Sequence, residues 1–371
     1  MKEFSSKRFG IASAAAITAL LSGAAVLQAQ SASPLSSPSP LYREVIDETG
    51  RTVRVPQPVN RIVSLAPSLT ETLYALGLQD HLVGDTVYCD YPADAQKKAK
   101  VGDTINPSLE QIAVLHPDLV IVTKGLNHLE TVQGLDNLGI SSYATDPHNV
   151  SEIASSTKKL ADVLGAPEAG VTVAAEMEHH LAELQQHLAS SSPKRVLFIV
   201  WHQPLISVGK HTFIADALRL AGAVSIVDSE QDWPHMSLEE VARLQPDYLV
   251  FSPSHSDAAG LTVDTLATLP GWNIVDAVTN RHFAVISDAV NRPAPRIVSA
   301  IEDLARQLHP DVFVERPEKL DERNPKEKPE KEKDKNEKAA PAPVPPPSRL
   351  SLLSFGPQCQ TAILGGCACA R

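Results

Sequence analysis

Cysteine is nearly missing from this chain of 371 residues. One thiol, Cys89, stands in the main body, and the other three, Cys359, Cys367 and Cys369, fall within the last thirteen positions. This is neither a disulfide framework nor a zinc-type spacing, and the terminal Cys-x-Cys reads as an incidental tail. No Lys/Arg cluster goes unbalanced by Asp/Glu, and the formal net charge is −11. The cationic face that nucleic acid requires is therefore absent. Also absent are a Gly-x-Ser-x-Gly elbow, a phosphate-cradling glycine-rich loop and a His-Glu-x-x-His helix. The expectation is a protein that is not an enzyme and holds no resident metal or cofactor. Aromatic residues are scarce at 5%, so where they fall is informative.

What is present begins with a targeting pattern. Lys2, Lys7 and Arg8 precede an alanine-rich apolar run from Phe9 to Leu27, and Ser/Pro-rich sequence follows. This is the layout of a secretory signal peptide over residues 1–29, with cleavage near Ala29. The run is short of a comfortable span of ~20 residues and poor in large apolar side chains, which argues against an anchor. With no cysteine before Cys89, a lipoprotein is not expected either. The reading is a free, monomeric protein of an exported compartment, most simply a periplasm. Residues 30–41 read as a linker. Residues 315–371 read as a disordered Lys/Glu/Pro-rich tail, because such composition cannot bury a core.

Between these ends the pattern is α/β. REVIDETGRTVRV reads as a hairpin turning at Glu48-Thr49-Gly50. RIVSLAPS gives a short strand, and Leu69 to Leu76 a helix closed by Gly77. SLEQIAVLHPDLVIV (108–122) recurs as SLEEVARLQPDYLVF (237–251), an offset of 129 residues. Each copy opens with a Ser-x-x-Gln/Glu capping box, so Ser108 and Ser237 should start helices. In each, Pro-Asp breaks the helix and a β-rich apolar run follows. So long an offset suits two similar lobes rather than a solenoid. The expected architecture is two Rossmann-like α/β lobes with mainly parallel sheets, residues 42–165 and 194–314. One long rigid helix over 166–193, opened by Pro167, joins them.

In a two-lobed protein a ligand belongs in the cleft, met by loops at the strand ends. Those loops carry the aromatics: Tyr88 and Tyr91 in VGDTVYCDYP, Trp201 after RVLFIV, and Trp233 in DWPH. Packing in the core or between lobes is the competing role for each. Asp288 and Arg292, after FAVISD, would add polar contacts at the cleft edge. Glu176, His179, His180, Glu183 and His187 on the connecting helix read as a solvated face, since no second Glu-x-x-His motif faces them. Glu110 and Glu239 are equivalent positions of the repeat. Each either complements its helix dipole or offers one carboxylate per lobe to arginines of a two-fold symmetric partner.

RIVSLAPSLTETLYALG, VGDTVYCDYP, VGDTINPSLEQIAVLHPDLVI, PLISVGKHTFIADALRLAG, WPHMSLEEVARLQPD and NRPAPRIVSAIEDLARQLHP together resemble the cobalamin-binding proteins of ABC importers. The wider group, class III periplasmic binding proteins, includes ferric-siderophore and heme receptors. The resemblance runs in order from about residue 42 to 312. It implies that Tyr91, Trp233, Asp288 and Arg292 face a corrinoid. It also implies that Glu110 and Glu239 dock on an ABC permease dimer served by cytoplasmic ATPases. Thr104 and Thr123 stand where a well-studied enterobacterial relative has tryptophans, and Trp201 or His202 would compensate. The alternative in the same class is a ferric-siderophore or heme receptor, with Arg292 and Arg296 as its cleft arginines. From another class, a metal-cluster-containing oxidoreductase component would want more cysteines than the lone Cys89. His202, His235 and Cys89 are the side chains whose approach to a metal the sequence leaves open.

Overall fold

The computed structural model describes residues 41–252 and 263–313. The signal-peptide, tail and terminal-cysteine expectations lie outside these residues. So does the linker up to its last residue, Leu41, which already belongs to the first strand.

The predicted hairpin is present as β1 (Leu41–Ile46) and antiparallel β2 (Thr52–Gln57). Its turn is built by Asp47. One carboxylate oxygen accepts from the Thr49 and Arg51 amides and the Thr49 hydroxyl, and the other accepts from Arg51 Nε. Then follow β3 (Ile62–Ser64), α1 (Pro67–Ala75), β4 (Leu82–Asp85), β5 (Ala99–Lys100), α2 (Leu109–Val114), β6 (Leu119–Thr123), α3 (Leu129–Asn137) and β7 (Ser142–Thr145). The five strands from β3 to β7 make one parallel sheet in the order β5-β4-β3-β6-β7. Apolar residues fill both of its faces, as all-parallel sheets require. One face packs the hairpin, α1 and part of the next helix. The other packs Ile112 of α2 and Val132 and Leu135 of α3.

Two helices follow, α4 (Val150–Val163) and α5 (Pro167–Leu188). The latter is the expected connection, 22 residues long and so roughly 33 Å. The expectation that residues 151–165 simply finish the first lobe is corrected. Leu160 and Val163 of α4 pack on the first sheet, whereas Val150, Ile153 and Ala154 join the core of the second. One helix thus divides its buried face between two lobes, which stiffens the connection beyond what α5 alone provides.

The second lobe comprises β8 (Lys194–Ile199), β9 (Trp201–His202), β10 (Leu205–Ile206), α6 (Phe213–Leu220), β11 (Ala223–Ser225), α7 (Leu238–Leu244), β12 (Tyr248–Phe251), α8 (Val263–Thr268), α9 (Asp276–Thr279), β13 (Phe283–Val285) and α10 (Ile297–Leu308). Its parallel sheet has the order β11-β8-β12-β13, with cores on both faces.

The sequence repeat is also a structural one. Ser108 and Ser237 accept from the amides of Gln111 and Glu240, as predicted. The first capping box is only half made, however, because the Ser108 amide donates to Val101 O. Beyond each helix, Asp118 accepts from the Arg61 amide and Asp247 from the Arg195 amide. The two guanidinium groups in turn donate to the helix-end carbonyls of Leu115 and Leu244. The repeated Pro-Asp is therefore a clamp between a helix C-terminus and the start of the central strand, not merely a helix breaker.

Candidate functional site

In parallel sheets, ligands meet the carboxyl ends of the strands, at the point where strand order reverses. In the first lobe that point lies between the loops after β3 and β6, and Asn127 stitches them together. Its amide donates to Leu65 O and Thr104 O, and its oxygen accepts from the Thr123 amide. Thr104 and Thr123 are both buried, so this corner is small and polar rather than aromatic. Val87, Tyr91, Leu126 and Leu129, on strand-end loops and at the α3 start of this lobe, are exposed apolar side chains.

In the second lobe the equivalent point follows β8, and Trp201 begins the very next strand. Strands β9 and β10 pair antiparallel, with Trp201 opposite Ile206. Ile206 bridges in turn to His235, and Gly209 and Met236 amides lock the 232–236 segment alongside. Trp201 and Trp233 thus belong to one miniature three-stranded platform. Both are half-buried and rest on the lobe's main core. Trp201 Nε1 donates to Gln203 O at 2.9 Å, which fixes its ring.

The lobes meet at a cluster of charges. Glu71 of α1 has only 2% of its side chain exposed. Its Oε1 accepts from Arg292 Nη1 at 2.7 Å and Arg296 Nη2 at 2.8 Å, and its Oε2 from Arg296 Nε at 2.8 Å. Arg292 Nη1 also lies 2.7 Å from Asp90, and Nη2 3.4 Å from Asp288. The Arg296 guanidinium sits over the Tyr91 ring, 3.9 Å from its centroid, a favourable cation–π geometry. Burial works against the charges of Asp90 and Arg292. Their mutual contact outweighs it, so the Asp90 carboxyl is held below its usual range and Arg292, also beside Glu71, above its own.

Of the predicted residues, the structure brings Tyr91, Asp288 and Arg292 into this cluster, and Trp201 and Trp233 together on the platform. Tyr88 is half-buried beside buried Cys89. Sequence reasoning missed Glu71 and Asp90. Asp90 adjoins Tyr91 in CDYP, and Glu71 lies in SLTETL, a polar-looking stretch whose residues from Ser68 to Leu73 are all buried. A groove of about 530 Å³ opens beside the cluster, lined by Glu71, Tyr91 and Arg296 together with Val173, Met177 and His180 of α5. It lies on the connecting-helix side, and the platform tryptophans do not line it.

Cys89 is sealed between the Thr70 and Thr86 hydroxyls, each 3.2 Å away, and burial pushes its thiol up. His202 is half-buried, with no hydrogen-bond partner for its Nδ1 among the described residues, and His235 is exposed. His179 and His180 are exposed on α5, where His179 faces Glu183 and His180 faces Glu302. Glu110 and Glu239 occupy the same place in the first turns of α2 and α7. Both are exposed and neither has a salt-bridge partner among the described residues.

Comparison with known proteins gives a consistent picture. Residues 62–290 match the family described as periplasmic binding protein. The vitamin B12-binding protein of Yersinia pestis (strain Pestoides F) is 33% identical over 253 residues, 68% of this chain and 87% of that protein. Among solved structures, the periplasmic vitamin B12-binding protein BtuF of Vibrio cholerae is similar at 31% identity and a TM-score of 0.60, covering 68% of this chain and 97% of that one. The periplasmic heme-binding protein RhuT from Roseiflexus sp. RS-1 is similar at 25% identity and a TM-score of 0.62, covering 68% and 99%.

Proposed function

The chain belongs to the periplasmic binding protein family, and from that premise we propose that it is the receptor through which an ABC importer captures cobalamin or a related corrinoid. The observation that carries this reading is the placement of partly exposed aromatic rings at the strand ends of both lobes: Tyr91 on one, Trp201 and Trp233 on the other. A corrin is broad and flat, so it gains from rings laid against its faces, each adding ~0.5–1.5 kcal/mol beyond area burial. Asp288 and Arg292 would supply the polar contacts at its edge. The vitamin B12-binding relatives support the ligand class. In this reading the protein acts as a carrier that holds its ligand unchanged.

Delivery follows from Glu110 and Glu239. Two carboxylates in equivalent positions, without a salt-bridge partner among the described residues, suit paired arginines on a two-fold symmetric permease, served by cytoplasmic ATPases. The receptor would act as a monomer in the periplasm, exported by residues 1–29. Uptake of radiolabelled cyanocobalamin by cells lacking this chain, restored by the wild-type copy, tests the role. A Glu110→Arg/Glu239→Arg copy should bind as well as wild type yet fail to restore uptake. Restoration by the double variant would remove the docking assignment, and unimpaired uptake without the chain would remove the importer role.

A further inference from the structure

Arg292 carries three carboxylate neighbours of very different standing. Glu71 is buried, with 2% of its side chain exposed. Asp288 is 35% exposed and sits 3.4 Å away. Asp90 is 58% exposed yet lies as close as Glu71, at 2.7 Å, on the same Nη1 nitrogen. The guanidinium itself is only 14% exposed. Its shared Nη1 has two tight acceptors, so an incoming ligand cannot simply be added there.

We propose that Asp90 occupies the position on Arg292 that the ligand takes, and so acts as a specificity residue by competing with it. This rests on the assignment of Arg292 to the ligand under the corrinoid reading. The three carboxylates differ in what their departure costs. Moving Glu71 off Arg292 would take a cation away from a carboxylate that is 2% exposed, with no water to replace it, which is costly even while Arg296 stays. Releasing Asp90 returns an already half-hydrated group to water, at small cost. Asp90 is therefore the exchangeable partner. Glu71 remains the permanent one, its Oε2 held by Arg296 Nε and its Oε1 shared by both arginines. Any ligand must present an acceptor good enough to replace a carboxylate at Nη1. An amide or carboxylate at the rim of a macrocycle does this, and a purely apolar ring does not. Because Asp90 and Arg292 come from different lobes, the exchange removes one interlobe tie while the Glu71–Arg296 fork keeps the lobes in register.

The test is an equilibrium titration of the wild-type protein, Asp90→Asn and Asp90→Glu with cyanocobalamin at low and high salt. Competition predicts that Asp90→Asn binds about two- to fivefold tighter at low salt. The gain should shrink at high salt, where screening already weakens the pair in the wild type. Asp90→Glu, which keeps the charge, should show no gain. A merely structural interlobe tie predicts the opposite sign, because its loss loosens the cleft. Unchanged or weaker binding by Asp90→Asn overturns the proposal. Failure of the wild type to bind cyanocobalamin counts against the corrinoid reading alone. The same variants are then titrated with heme, and equal affinities of wild type and Asp90→Asn for heme overturn the proposal there.

Discussion

Both carboxylate oxygens of Glu71 are held by Arg296, Nε on one and Nη2 on the other, each at 2.8 Å, across the boundary between the lobes. This bidentate geometry fixes direction as well as distance. Together with α4, which packs on both sheets, it makes the lobe arrangement a rigid one. A cleft so held is shaped before the ligand arrives.

Replacing Glu71 by Ala would leave Arg292 and Arg296 poorly compensated in a largely buried setting. The expected destabilisation is about 3 kcal/mol, read from urea unfolding. Arg292 retains Asp90 and Asp288, so Arg296 is the group most exposed to the loss. A change within experimental error would mean that the fork contributes no net stability.

His116 and Gln245 occupy the same place in the two repeats, and both adopt left-handed backbone, with φ of 45° and 44°. Their side chains differ in use. Gln245 donates to Ile274 O and accepts from the Asp276 amide, both at 2.9 Å, whereas His116 is exposed. Glycine relieves left-handed strain, so His116→Gly should stabilise by about 0.5–1 kcal/mol. Gln245→Gly should destabilise, because two hydrogen bonds are lost for the same relief. Thermal unfolding of both variants checks this, and equal signs would contradict it.

The Asp47 carboxylate in the hairpin turn is buried, which works to raise its pKa. Hydrogen bonds from Thr49 and Arg51 outweigh this and hold it below its usual range. An unfolded aspartate titrates near ~3.9, so between that value and the lower folded one the unfolded state binds more protons. The stabilisation is thus complete above about pH 4 and is lost as the pH falls through the folded pKa. Wild type should lose stability on acidification more steeply than Asp47→Asn, measured as urea midpoints at pH 7, 4 and 3. Parallel curves would show that Asp47 makes no contribution of this kind.

The two-lobed plan was legible because its signals are local. The Ser108 and Ser237 caps, the Gly77 stop at φ 72° and the alternation of helix and apolar strand lie within a few residues of one another. Glu71 was not legible for the opposite reason. Its partners are 221 and 225 residues away, and no periodicity tells a polar helix face buried against another lobe from one facing water. The α4 residues were misassigned for a related reason, since an amphipathic pattern shows that a face is buried but not against which body. Aromatic scarcity did single out Tyr91, Trp201 and Trp233, although only the three-strand pairing of residues 201–206 with 232–236 puts the two tryptophans on one platform.

Capture of a corrinoid between the lobes is tested by calorimetric titration of the chain without residues 1–29 with cyanocobalamin. Corrinoid capture requires saturable one-to-one binding by the wild type and a marked loss of affinity in a folded Trp233→Ala variant. Folded wild-type protein that ignores cyanocobalamin but saturates with heme would contradict it, leaving the family assignment intact and changing the cargo.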